Sequence, residues 1–136
     1  MGLSKVVLRY INGKVVKGFT QNFSADKDRF HLYTEASLSG STREVDVKEL
    51  KAIFFVRNFA GDPKYREQKR YTAGEKPPGR IVEVKFKDGE MLVGSSLTYN
   101  REKTGFFLFP ADSKSNNLRV FVVFAAVEAV GRHSSG

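Results

Sequence analysis

The residues of this chain best suited to chemistry lie close together: Lys64, Tyr65, Arg66, Lys69, Arg70 and Tyr71. Cations interleaved with aromatic rings can neutralise phosphates while the rings stack on bases, so this stretch is a candidate contact for nucleic acid or a nucleotide. The same composition fits a solvated linker whose tyrosines pack against a neighbouring unit. Elsewhere the chain offers little reactivity. There is no cysteine, and the two histidines, His31 and His133, stand outside any catalytic spacing. With no nucleophile elbow, phosphate loop or metal-ligand spacing, the expectation is a protein that is not an enzyme and holds no cofactor or metal.

The elements that would position such residues are strands. Asn12-Gly13 and Asp88-Gly89 each sit between alternating apolar residues, the strongest short hairpin signal, and a type I′ turn is expected at both. Val6, Leu8 and Tyr10 alternate before the first turn, and Val82, Val84 and Phe86 before the second. Gly18, inside the strand after the first turn, predicts a bulge or tight bend. Strands are expected at 29–33, 43–47 and 50–56, with a tight turn at Lys48-Glu49.

The two turns are 76 residues apart, and the offset holds without a gap from Val6/Val82 to Tyr33/Phe109. A one-residue slip then aligns Leu50-Lys51-Ala52-Ile53 with Val127-Glu128-Ala129-Val130. The chain reads as a tandem duplication. The expected architecture is all-β: two tandem five-stranded antiparallel small barrels of SH3/Sm-like type, related by that duplication and packed together. The corresponding boundaries are 1–58 for the first unit, 59–79 for the basic connector, 80–131 for the second unit and 132–136 for a disordered tail.

In the second half Gly105, Phe107 and Phe109 occupy the face that carries Arg29, His31 and Tyr33 in the first, and 120–127 is a continuous apolar run. A strand that is apolar on both faces must be covered twice. The expected cover is the other unit, with Phe54, Phe55 and Phe59 meeting Phe107, Phe109 and Phe121; an oligomer or partner interface is the alternative.

Within each half, an apolar strand, Asp-Gly or Asn-Gly, four residues, Gly, a loop and an apolar-x-Leu strand together resemble the first motif of Sm-like barrels. The loops 26–30 and 102–106 do not match the nucleotide-pocket residues of Sm-like RNA binders. Arg66 and Arg70 resemble the Arg-x-x-x-Arg half of the PilZ signature, which implies cyclic di-GMP binding, although the second half of that signature is missing. The segments 51–59 and 105–112 look like an uncharacterised bacterial family, and that resemblance implies a regulatory or adaptor role.

With 23 Lys and Arg against 15 Asp and Glu, the net charge is +8, which suits an acidic partner. No apolar run approaches the length of a membrane span and no leader pattern opens the chain, so no membrane association and a cytoplasmic location are expected. The resulting expectation is a non-enzymatic binding or adaptor module of bacterial regulation or signalling, acting on a protein partner. Nucleic acid or a cyclic dinucleotide at the connector is the alternative, and a homo-oligomer is compatible with either.

Overall fold

The computed structural model describes residues 3–21, 23–35, 41–61, 64, 71, 77, 79–112 and 114–132. Ten strands run through them: β1 Ser4–Tyr10, β2 Val15–Thr20, β3 Arg29–Tyr33, β4 Thr42–Asp46, β5 Leu50–Val56, β6 Arg80–Phe86, β7 Met91–Ser96, β8 Gly105–Pro110, β9 Asn117–Val123 and β10 Val127–Arg132. Short 3₁₀ turns at Val47–Glu49 and Phe124–Ala126 lead into β5 and β10. The strand β10 takes in Gly131 and Arg132, which the sequence placed beside or within a patternless tail.

All ten strands join one antiparallel sheet in the order β10-β6-β7-β8-β9-β5-β1-β2-β3-β4. The sheet does not close, which differs from the expectation of two tandem barrels packed together. The cause is the pairing of β5 with β9, Ile53 opposite Phe121 and Phe54 opposite Val120, which carries the hydrogen-bond ladder from one half of the chain into the other.

The pairings of β1–β5 recur in β6–β10. Val6 opposes Gly18 as Val82 opposes Gly94, and Phe30 opposes Val45 as Phe106 opposes Val122. The ladder slips between Arg9 and Tyr10 on β1, leaving Lys51 unmatched, and the β6–β10 ladder slips in the same way at Glu128. Such an extra residue bends a strand and re-aims its own side chain.

Both hairpin turns differ from the expected two-residue type. Gly13 N–H donates to Tyr10 C=O at 3.0 Å and Tyr10 N–H to Lys14 C=O at 2.8 Å, so Ile11-Asn12-Gly13 forms a three-residue loop with Gly13 at φ 94°. The second hairpin closes in the same way on Gly89, φ 95°. A four-residue turn whose last residue is a left-handed glycine is the standard three-residue hairpin. Gly18 is not a bulge either. Its ladder is unbroken, and a Cβ there would lie 2.8 Å from both the Leu32 side chain and the Tyr33 carbonyl, so the glycine permits a close crossing of strands.

Two cores form, and β5 and β9 serve both. Leu50, Ile53 and Phe55 of β5 and Phe121 and Val123 of β9 join Val6, Leu8, Phe30 and Leu32 in the first core. The alternate residues, Ala52, Phe54 and Val56 with Val120 and Val122, enter the second core with Val82, Val84, Phe86 and Phe106. Period-two alternation sends successive side chains to opposite faces, so a strand wedged between two cores needs apolar residues on both faces, as β5 has at every position but Lys51. Burying each large apolar side chain contributes about 1.5–3 kcal/mol.

Candidate binding groove at the central seam

Where β5 and β9 part, a groove of about 320 Å³ opens, lined by Leu3, Ser4, Lys5, Phe55, Val56, Arg57, Leu118 and Arg119. Its geometry follows from the ladder. Phe55 opposes Arg119 but Val56 opposes Asn117, so Leu118 is the extra residue of a bulge, and its side chain is 47% exposed. The bulge spreads the strands and turns an apolar residue outward beside basic ones.

Arg119 anchors the groove. Its guanidinium lies 4.4 Å from the ring centres of both Phe55 and Phe107. A cation held against two partly desolvated rings gains on the order of 1–2 kcal/mol. Burial pulls the Arg119 guanidinium below its ordinary value, yet an arginine starts so high that it stays charged at neutral pH. Arg57 donates from Nε to the Ser115 carbonyl at 3.0 Å, and Asn116 and Asn58 exchange further bonds across the same end of the seam. Lys5 Nζ approaches the Arg57 carbonyl at 3.5 Å. Among the described residues the lining thus holds three cations, no carboxylate and an apolar shelf of Leu3 and Leu118.

The sequence-selected aromatic residues separate into several environments. Phe55, Phe107 and Phe121 meet with Phe23 inside the first core, Phe107 and Phe121 at 5.1 Å and Phe23 and Phe121 at 4.8 Å. Phe54 lies in the second core beneath the Arg9 guanidinium. Phe59 packs edge-on against Phe19 at 5.4 Å, and Phe109 is 38% exposed. Of the connector residues, Lys64 is exposed and Tyr71 half-buried; Tyr65, Arg66, Lys69 and Arg70 lie outside the described residues.

The second end of the seam is held by Lys51, which sequence reasoning passed over. Its ammonium bonds Asp88 at 2.7 Å and also Glu90, both at the β6–β7 turn, and sits 4.7 Å over the Phe86 ring. Desolvation, the largest single influence, pulls Lys51 down, but the hydrogen bonds and charges of Asp88 and Glu90 together raise it above 10.5. A signal was present in the sequence: Lys51 interrupts an otherwise apolar strand, and Asp88 and Glu90 stand where the first hairpin has Asn12 and Lys14. Arg119 and Leu118 carried no comparable signal, since the groove exists only once β5 and β9 are paired.

The profile of a family of unknown function, DUF6982, matches residues 2–132. The chain belongs to this family. No curated protein and no solved structure matches the chain. Among the described residues no helix is long and apolar enough to cross a membrane, and no cluster of three or more His, Asp or Glu side chains could hold a metal ion.

Proposed function

We propose that the chain is a non-enzymatic binding module whose seam groove takes an acidic, partly apolar segment of a protein partner. The observation that carries this reading is the lining: Lys5 and Arg119 beside an exposed Leu118 and a half-buried Leu3, with no carboxylate among the described lining residues. Carboxylates of an extended segment would meet the cations while an apolar side chain rests on the leucines. A protein segment suits the groove better than a nucleic acid, because the rings that could stack on bases, Phe55 and Phe107, are already covered by Arg119. On this reading the two five-strand series are duplicated Sm-like or SH3-like units, and their joint creates the site. The bacterial, regulatory setting comes with the sequence resemblance.

The test is fluorescence anisotropy at about 0.15 M salt with a labelled peptide of alternating glutamate and leucine, its glutamine counterpart, single-stranded RNA and cyclic di-GMP. The acidic peptide is expected to bind, and Lys5→Glu with Leu118→Glu to weaken it at least about tenfold, which is 1.4 kcal/mol. Binding of RNA or cyclic di-GMP but not of the peptide would overturn the proposal and move the site to the connector.

A further inference from the structure

The seam between β5 and β9 joins the fifth strand of one series to the fourth strand of the other, and the open sheet leaves one further strand of each kind at its edges. Those edges are β4, the fourth strand of the first series, and β10, the fifth of the second. We infer that β10 of one chain pairs with β4 of a second copy, repeating the internal seam between molecules in a head-to-tail assembly.

Three observations converge on this. The first is register. Carrying the internal pairs Ala52–Val122 and Ile53–Phe121 across the repeat offset places Ala129 opposite Val45 and Val130 opposite Glu44 of the next chain. The free edge of β4 is in phase with that register. Val47 N–H bonds Asp28 C=O and Thr34 N–H bonds Ser41 C=O, so odd-numbered residues of β4 turn to β3 and the backbone of Glu44 turns outward. Ala52 and Phe54 are buried at the seam, whereas their counterparts Ala129 and Gly131 are exposed at the edge.

The second observation is charge at the bulge. Inside the chain Lys51, the extra residue of β5, reaches Asp88 and Glu90 of the neighbouring hairpin. Across the proposed joint the counterpart of Lys51 is Glu128, and the counterparts of Asp88 and Glu90 are Asn12 and Lys14. Asn12 is uncharged, but the Lys51–Glu90 pair has its signs exchanged, so the exposed Glu128, which bridges Lys85 of its own chain at 3.5 Å, would also meet Lys14.

The third is charge at the loops. Lys103 bonds Asp26 at 2.9 Å across the internal seam. The corresponding pair between molecules is Lys27 with Glu102, again opposite in sign, and all of Lys14, Lys27, Glu102 and Glu128 are exposed. Phe107 and Phe121 of the internal seam correspond to His31 and Glu44 at the edge, which makes the intermolecular joint more polar and its formation concentration-dependent. A joint of this head-to-tail kind generates a ring or a filament according to whether its rotation closes.

The experiment is sedimentation velocity over a range of concentrations. The wild-type chain is expected to exceed the mass of one chain. Glu44→Pro and Val130→Pro each remove one outward edge, so each variant alone is expected to stay monomeric. An equal mixture retains one good β10 and one good β4 and is expected to form a complex of one chain of each variant. Circular dichroism checks that both variants fold. Should proline unfold them, the surface variants Lys14→Glu and Glu128→Lys decide: each alone loses association and the mixture regains it. A wild-type chain that stays monomeric at every concentration, a Glu44→Pro chain that still dimerises, or a mixture that stays monomeric would overturn the inference.

Discussion

Lys51 shows how a single cation joins the two halves of this fold. Its side chain is only 9% exposed, yet two carboxylates, a ring face and the bulge of β5 hold it in place. Because its folded value is raised, its contribution is fully present below 10.5 and fades as pH rises beyond that. Asp88 is held below 3.8, chiefly by the Lys51 hydrogen bond, so its share is present above 3.8 and fades as pH falls below it. Asp88 is more than half exposed, which keeps its share to about 1 kcal/mol or less. Lys51→Glu would place three carboxylates together and is expected to lower stability at pH 7 by about 3 kcal/mol. Adding Asp88→Asn and Glu90→Lys removes the like charges and places a lysine opposite the new glutamate, and should recover most of the loss. Urea unfolding of the single and triple variants measures both effects.

Strand crossings are fixed at the glycines. A Cβ on Gly94 would lie 2.2 Å from the Phe109 carbonyl and 2.5 Å from the Leu108 side chain, and the backbone oxygen cannot swing aside as a side chain could. Gly94→Ala is expected to cost about 2–3 kcal/mol through overpacking. Gly13→Ala meets no atom within 4 Å, and its cost comes only from φ 94°, about 1–2 kcal/mol. Thermal unfolding of the two variants separates close approach from backbone strain. At this scale the sequence was informative about strand positions, because alternation and glycine report on one chain segment and its nearest partner. It was less informative about turn type, since the glycine left-handed conformation is common to two- and three-residue hairpins and only the closing hydrogen bonds distinguish them. The meaning of Gly18 also depended on a partner, Leu32, that the local pattern does not name.

The fold at the scale of the molecule is one sheet with two cores that share β5 and β9. The apolar run 120–127 indicated a strand covered on both faces, but nothing in it specified β5 as its hydrogen-bonded neighbour. That pairing links residues far apart in sequence, and it is what creates the groove of Lys5, Leu118 and Arg119. The basic connector, prominent in the sequence, was visible through composition alone. The groove residues are individually ordinary and become a site only by juxtaposition.

Because each of β5 and β9 supplies side chains to both cores, neither half can lose its packing without exposing apolar surface of the other. The most direct measurement is native-state hydrogen exchange as a function of denaturant. Amides of β1 and β5 in the first series and of β6 and β9 in the second are expected to exchange through one global opening, with the same free energy and the same denaturant dependence. Two distinct openings, one for residues 4–56 and another for residues 80–132, would contradict a fold built on the shared seam.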